Sequence, residues 1–417
     1  MAEYVKWPEE TIKRVRESVY LPDVIDPDGR YRRSSQGIVM HCPFHDDSDP
    51  SMAVYDRHYR CFSGSCGESG DAIEWLKRQH HMSFQEAVMT LARQAGIDLD
   101  SPINGRCGSD SPIASVLHAA KHLFLEKQGV ASDYLTERGI TAEVVERFEC
   151  GFAHDKGCNS LFSSFNRDHL KESGLYTDIG EGRLANVFKN RCMFPIYNGS
   201  SLAGFAGRVL DNKKPKYKNS PDSDTFRKGS LVFGLKQALP HIQKASAALV
   251  VEGYLDVLSL ASHGVDIAVS AMGTALTEDH YRKIRRSVGH GGEIVFCFDG
   301  DAAGMVAAKK AAIKALSCMV DGERVSILTL PENMDPDEIL NHHGVQAWNF
   351  LFERRELLSA FLTRNIISIE TPESASASYV KAKEMIGRIE HAPAFKKALS
   401  DSWERCLGVS LGVNNGA

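Results

Sequence analysis

Two groups of residues in this 417-residue sequence have types and spacings that suit chemistry better than packing. The first is Cys42-Pro-Phe-His45, followed fifteen residues later by Cys61 and then by Cys66. Three thiols and one imidazole make a Cys₃His set, a normal tetrahedral complement for one structural Zn²⁺ with every coordination position filled by protein. Pro50, Asp56 and Tyr59 between the two pairs suggest a short hairpin that brings them together. Four residues separate Cys61 from Cys66 where two are usual, so His41 and His58 stand as substitute ligands.

The second group is acidic. Glu252 closes the apolar run Ala-Leu-Val-Val, with Asp256 one helical turn on. Asp299-Gly-Asp301 closes Ile-Val-Phe-Cys-Phe, and Asp335-Pro-Asp337-Glu338 follows the run ending at Leu330. Each cluster stands where a strand should end. Carboxylates brought together repel one another and protonate unless a hard cation sits among them. Mg²⁺ or Mn²⁺ accepts such oxygens and neutralises charge in phosphoryl transfer. Gly300 and Gly304 are expected to let a phosphate-bearing ligand approach the backbone.

Residues 181–240 are basic, with eleven Lys and Arg against four Asp and Glu, a local balance of +7, and Tyr217, Phe226 and Phe233 interleaved. Positive charge with aromatics suits the phosphates of nucleotides or of a single strand. Neither a Walker-type loop nor a dinucleotide fingerprint is present, which argues against a fused helicase motor.

The elements that must position these groups are legible in outline. Short apolar runs at Ala247–Val251, Ile267–Ser270, Glu293–Phe298 and Arg324–Leu328 alternate with helical stretches at Tyr254–His263, Glu278–Arg286 and Met305–Cys318. Such alternation predicts a parallel sheet, whose function gathers at the carboxyl ends of its strands. Ser83-Phe-Gln-Glu86 reads as a capping box opening a helix, and Thr141 as the cap of Ala142–Phe148. Pro, Gly and small polar residues at 101–112 read as a linker. The fold class is therefore α/β and α+β multidomain. It divides into a zinc-ribbon-like module (1–100), a mixed basic subdomain (113–245), a parallel-sheet subdomain (246–340) and a helical segment (341–417).

The whole composition is ordinary: 43% hydrophobic, 25% charged, a formal charge of -5 and mean hydropathy -0.26. This excludes a disordered chain, a disulfide scaffold and a uniformly basic protein. No apolar stretch reaches the roughly 18 residues of a spanning helix, and no secretory signal opens the chain, so the expected location is cytoplasmic. Of ten cysteines, the seven outside the metal set are expected to be free thiols, often buried.

In this order, the motifs resemble a bacterial replicative primase of the DnaG type. Cys42-Pro-Phe-His45, Pro50-Ser51 and Cys61-Phe62 resemble its CHC2 zinc module. Tyr134-Leu-Thr-Glu-Arg-Gly139, Met193-Phe-Pro-Ile196, Gly204-Phe-Ala-Gly-Arg-Val209 and Pro215-Lys-Tyr-Lys-Asn-Ser-Pro221 resemble the basic half of its RNA polymerase domain. Val250-Val-Glu-Gly-Tyr-Leu-Asp256, Ala271-Met-Gly-Thr274, Asp299-Gly-Asp-Ala-Ala-Gly304 and Asp335-Pro-Asp337 are similar to its TOPRIM subdomain.

The resemblance implies zinc on Cys42, His45, Cys61 and Cys66, and catalytic Mg²⁺ or Mn²⁺ on Glu252, Asp299 and Asp301. Asp256, Asp335 and Asp337 would complete the pocket. Arg138, Arg208, Lys216 and Lys228 would hold nucleotide phosphates or template. It implies synthesis of short RNA primers from ribonucleoside triphosphates on single-stranded DNA within a primosome, the 3′-hydroxyl of one nucleotide attacking the α-phosphorus of the next and releasing pyrophosphate. One departure is Val187-Phe-Lys189, where the family has Arg-Phe-Arg. The family continues into a helicase-binding domain, whereas this chain ends at Ala417; a shortened primase, or another route to its helicase, is expected. A TOPRIM topoisomerase or nuclease, and a non-catalytic zinc/TOPRIM mediator of recombination, are the rival readings.

Overall fold

The computed structural model describes residues 7–412 apart from 8, 27–30, 32, 35–36, 65, 81, 96–110, 156, 182, 212, 274 and 290. Most of the expected linker, residues 101–110, and Thr274 lie outside the described residues.

The N-terminal module places α1 (Glu9–Ser18), α2 (Leu21–Ile25), α3 (Ala72–Gln79) and α4 (Phe84–Ala95) around an antiparallel sheet. That sheet is β1 (Arg33–Ser34), β2 (Gly37–Met40), β3 (Met52–Val54), β4 (Tyr59–Cys61) and β5 (Ser69–Gly70), in sequential order. β3 and β4 form the expected hairpin, with Met52 opposite Cys61. The helices start where their caps dictate: Asp71 accepts from the Ile73 and Glu74 amides, and Ser83 and Glu86 bond reciprocally. Trp75, Tyr59 and Phe44 pack with ring centroids 5.3–5.9 Å apart in a core of modest size.

The next unit opens with α5 (Pro112–Leu125), α6 (Gln128–Thr136) and α7 (Ala142–Arg147), the last capped by Thr141 as expected. After β6 (Gly151–Ala153) come α8 (Leu161–Ser164), α9 (Arg167–Glu172) and a separate hairpin, β7 (Tyr176–Asp178) with β8 (Leu184–Asn186). β9 (Arg191–Asn198) and β10 (Ser201–Val209) form a long antiparallel pair. β6 pairs with β9 on one side and β11 (Tyr217–Asn219) with β10 on the other. Both long strands are buried on both faces, which is why their sequence reads as nearly continuous apolar residues.

The parallel sheet follows. α10 (Leu235–Ala245) leads into β12 (Ala247–Val251), α11 (Tyr254–Ser262), β13 (Ala268–Ser270), α12 (Glu278–Val288), β14 (Glu293–Phe298), α13 (Ala302–Cys318), β15 (Arg324–Thr329) and α14 (Pro336–Glu353). The strand order is β13-β12-β14-β15, all parallel. Phe194 stacks on Tyr254 at 5.5 Å and Phe233 meets the same ring edge-on at 4.9 Å, so the antiparallel and parallel sheets share one core.

The C-terminal segment adds α15 (Leu358–Ile366), α16 (Pro372–Gly387) and α17 (Pro393–Leu407) over the second face of the parallel sheet, where Trp403 is fully buried. It also supplies β16 (Glu356–Leu357), antiparallel to β15, which the helical pattern did not announce. The neighbouring Arg355 grips the buried Glu293 carboxylate with two nitrogens, at 2.7 and 2.9 Å. Cys150, Cys158, Cys192, Cys297 and Cys318 are buried free thiols as expected, whereas Cys406 is exposed on α17.

Candidate functional site: a Cys₃His cluster and a carboxylate pocket

The Cys42, His45, Cys61 and Cys66 ligand atoms all lie within 4.8 Å of one another. Cys42 Sγ and Cys66 Sγ are 3.8 Å apart. Zinc–sulfur bonds of about 2.3 Å at tetrahedral angles put the two sulfurs about 3.8 Å apart, so the spacing suits a single zinc ion. The longer run between Cys61 and Cys66 is taken up by a turn in which the Ser63 carbonyl accepts from the Cys66 and Gly67 amides.

His45 Nδ1 is buried with no partner among the described residues, while Nε2 faces Asp47 Oδ1 at 3.4 Å. One ring nitrogen is thus directed by a carboxylate and the other is left for a metal. Asp47 organises the whole corner: it also accepts from the Cys42 amide at 2.7 Å and the Ser51 hydroxyl at 2.7 Å. Burial pushes the Cys42 thiol up to about 12, so a cation is needed to hold a thiolate there. His41 bonds the Asp47 carbonyl and His58 stacks on Tyr55, so neither substitutes as a ligand.

The three acidic clusters lie along the carboxyl edge of the parallel sheet, near enough for their charges to act on one another. Among the described residues, only the Cys₃His cluster brings its ligand atoms within 4.8 Å of one another. β12 is flanked by β13 on one side and β14 on the other, so the crevice between β12 and β14 is where connections leave in opposite directions. Such a switch point is the place where open α/β sheets bind ligands. Glu252 and Asp299 stand on its two sides, and Glu252 Oε1 accepts from the Asp299 amide at 3.2 Å. Asp256 caps α11 through the Gly253 amide at 2.7 Å, Asp301 caps α13 through Gly304 at 2.6 Å, and Asp335 caps α14 through Glu338 at 2.7 Å. Asp337 accepts from Asn341 at 2.8 Å.

Burial and the neighbouring Glu252, Asp256, Asp335 and Asp301 push Asp299 up to about 7. Burial foremost, with Asp335, Glu252 and Asp337 adding to it, pushes Asp256 up to about 6, and burial also raises Asp335. Acids lifted this far are short of positive charge, which is the donor chemistry a hard divalent cation fits.

Ser270 and residues 271–273 of the motif after β13 support this edge, and of these only Ser270 carries no signal in the sequence. Ser270 Oγ donates to the Glu252 carbonyl at 2.7 Å, and the Gly273 amide donates to it at 3.1 Å. Between them Met272 holds a left-handed backbone, φ 61°, uncommon for such a side chain.

Gly300 and Gly304 have a different role from the one expected of them. A Cβ on Gly300 would lie 1.8 Å from the Pro331 carbonyl oxygen, and one on Gly304 2.0 Å from that of Asp299. These glycines admit the protein's own backbone, tying the Asp299 loop to residues 331–334. Gly300→Ala is expected to cost about 2–4 kcal/mol by urea denaturation, since backbone has to move to admit the methyl group.

The basic stretch divides by use. Arg183, Lys189, Lys213 and Arg227 pair with nearby acids, and Lys236 with Glu149. Arg191 turns inward onto the Gly207, Pro215 and Lys216 carbonyls at 3.0–3.3 Å. Arg208 is buried between Tyr134 and Tyr217, donating to both hydroxyls at 2.5 Å. Arg138 also lies over the Tyr134 ring, 5.1 Å from its centroid.

Lys216 completes this group. Its pKa is lowered chiefly by Arg208, with burial and Arg138 contributing, against the opposing pull of Asp256 and Asp335. Arg138, Arg208 and Lys216 therefore adjoin the acidic pocket. Lys228 lies apart, with Asp222 and His280 as its neighbours. Arg208→Met is expected to lower stability by about 2–3 kcal/mol in urea denaturation, because two tyrosine hydroxyls lose a charged partner.

A Cys₃His module, a basic antiparallel sheet and an acidic switch-point crevice together define the class as a multidomain α/β protein with a TOPRIM-type sheet. Comparison with known proteins is consistent along the chain. Family models match as CHC2 zinc finger over residues 7–106, as DNA primase catalytic core, N-terminal domain, over 118–239, and as Toprim-like over 249–340. The DNA primase of Geobacillus stearothermophilus is 37% identical over 359 residues, 81% of this chain and 58% of that protein. The Aquifex aeolicus primase structure, with zinc-binding and RNA polymerase domains, aligns with TM-score 0.63 and 28% identity, covering 96% of this chain and 98% of that one. The DnaG primase catalytic domain bound to single-stranded DNA aligns with TM-score 0.64 and 31% identity over 72% of this chain and 96% of that one. The chain belongs to the bacterial DnaG-type DNA primase family. It spans 58–66% of the length of the first curated relatives it matches. No helix among the described residues is long and apolar enough to cross a membrane.

Proposed function

We propose that this chain synthesises short RNA primers on single-stranded DNA by metal-dependent nucleotidyl transfer. The observation that carries the reading is the meeting of Glu252, Asp299 and Asp256 at the switch point, beside Arg208 and Lys216. Glu252, Asp299 and Asp301 would hold Mg²⁺ or Mn²⁺, with Asp256, Asp335 and Asp337 as the outer acids. When bound, the ion neutralises charge on the oxygens of the reacting phosphate.

The protein's own groups do the rest. Arg138, Arg208 and Lys216 bind the triphosphate or the template backbone. The two tyrosines keep the Arg208 guanidinium in one orientation, which lowers the entropy lost on binding phosphate. The zinc module would contact template and bias where synthesis starts. Exposed Phe62, with Arg60 over its ring at 5.5 Å, offers a base-stacking surface. Single-stranded DNA and ribonucleoside triphosphates are the proposed partners, and the cytoplasm the proposed location.

The test is incorporation of labelled ribonucleotides on a single-stranded template of varied sequence, with Mg²⁺ or Mn²⁺, mapping product starts. Short template-dependent RNAs are the expected result. Template cleavage or a covalent protein–DNA adduct without nucleotides would assign a nuclease or topoisomerase instead. DNA binding with no incorporation would assign a mediator.

A further inference from the structure

Thr277, His280 and Lys283 recur every three residues from the N-cap of α12, which places them along one side of the helix. Each reaches a successive main-chain carbonyl in the 3-10 turn Lys228–Ser230 of the basic unit. His280 Nε2 lies 2.9 Å from the Lys228 oxygen, Thr277 Oγ1 donates to that of Gly229 at 2.5 Å, and Lys283 Nζ to that of Ser230 at 2.9 Å. His280 is fully buried, and its Nδ1 accepts from the Thr277 amide at 3.3 Å, which makes Nε2 the protonated, donating nitrogen. Lys283 also donates to Asn198 Oδ1 at 2.8 Å, so the same helix holds the β9–β10 turn.

The segment so held carries Lys228. Among the described residues its ammonium has no salt-bridge partner, although it is partly buried. Asp222 acts on it without forming a direct ion pair, which leaves its N–H donors open to a phosphate oxygen. Further along the segment, Phe233 exchanges both backbone hydrogen bonds with Ser270, at 2.9 and 3.0 Å. Ser270 in turn holds the Glu252 carbonyl. The chain from Lys228 to Phe233 is thus anchored to α12 at one end and to the support of the carboxylate pocket at the other.

We propose that Thr277, His280 and Lys283 are positioning residues that clamp the Lys228 segment, fixing a Lys228-bound phosphate relative to Glu252. The inference rests on the polymerase reading above and on Lys228 as a phosphate-binding residue. The phosphate belongs either to a ribonucleotide or to the template strand, and two arms of one experiment separate these sources.

In the full chain, Lys228→Ala, His280→Ala, His280→Gln and the Lys228→Ala/His280→Ala double variant are compared. One arm measures binding of a single-stranded oligodeoxynucleotide across a salt series without nucleotides. The other measures KM and kcat for ribonucleotides in primer synthesis. Lys228→Ala is expected to weaken one arm about tenfold, as loss of a charged hydrogen bond does. If the phosphate is the template's, the salt slope also falls by about 0.7.

His280→Ala is expected to weaken the same arm and to add nothing in the Lys228→Ala background. His280→Gln, which keeps a side-chain N–H donor for the Lys228 carbonyl, is expected to restore most of the loss. A silent Lys228→Ala sinks the phosphate role of Lys228 and the clamp with it. An impaired Lys228→Ala beside a wild-type-like His280→Ala, losses that add in the double variant, or failure of glutamine to rescue sinks the clamp alone. Should His280→Ala not fold, Lys283→Met takes its place in the same cycle, with the same non-additivity expected and full additivity overturning the clamp.

Discussion

Asp299→Asn is expected to lower ribonucleotide incorporation steeply while raising the melting temperature of the metal-free protein. The two effects have one cause. Asp299 sits half-buried among Glu252, Asp256, Asp335 and Asp301, and its carboxyl is pushed up to about 7. An unfolded aspartate titrates near 4. Between those values the folded protein holds a proton that the unfolded chain has released, so stability falls as pH rises through that window. Asp256, pushed up to about 6, acts in the same direction.

Asparagine removes the repelling charge and adds a donor, and the metal-free protein should gain about 1 kcal/mol or more at pH 8. The same change takes a central oxygen from the proposed metal pocket, with a loss of roughly 10²–10⁴ in rate, the scale seen on removing a transition-state-stabilising group. Thermal melts at pH 6 and pH 8, each with and without Mg²⁺, check the linkage. Mg²⁺ should stabilise the wild type more at pH 8, where it no longer competes with protons, and the variant little at either pH. A variant that melts below the wild type without metal would show that the acids do not repel as described.

Removing zinc, or replacing Cys61 by serine, is expected to unfold residues 7–95 while leaving the two-sheet core intact. The N-terminal module surrounds its sheet of two- to four-residue strands with four helices and has its own separate core. A structural zinc ion contributes apparent binding free energies of about 10–16 kcal/mol. Whole domains are stable by only about 5–15 kcal/mol, so a module of this size is not expected to persist without its ion. Without zinc, Cys42 reverts to a buried thiol and His45 Nδ1 to an unpaired buried nitrogen. Hydrogen exchange on chelator-treated protein should lose protection in β2 to α4 and keep it in β12, β14 and β15, with one zinc released per chain. Retained protection in β3 and β4 would refute a structural metal.

Much of the site was legible in the sequence because its chemistry depends on residue type and local spacing. Cys42, His45, Cys61 and Cys66 announce a metal set by their donor atoms, and the hairpin between the pairs follows from the turn residues separating them. The strands at Ala247–Val251 and Glu293–Phe298 begin and end where the apolar runs do, since a buried parallel strand admits little else. Glu252, Asp299 and Asp335 stand out because each follows such a run. The uneven use of the basic stretch was not legible. Arg191 and Arg208 look alike in sequence, yet one ties three carbonyls inside the fold and the other is held between two tyrosines beside the acids. Gly300 and Gly304 likewise suggested room for a ligand, and proved to be room for Pro331 and Asp299.

Ligand types, the alternation of strand and helix, and the acids after apolar runs could all be read along the chain, because each rests on chemistry within a few residues. The tertiary structure alone decided that β12 lies between β13 and β14, that Glu252 and Asp299 therefore face each other across a switch point, and that α12 meets the Lys228 turn from another unit. A parallel strand buried on both faces carries no mark of its neighbour. Which strand pairs with which is settled only when helices of given length pack on both sides of the sheet. That choice buries the carboxylates beside one another, and burial together with their mutual repulsion raises the pKa values of Asp299, Asp256 and Asp335.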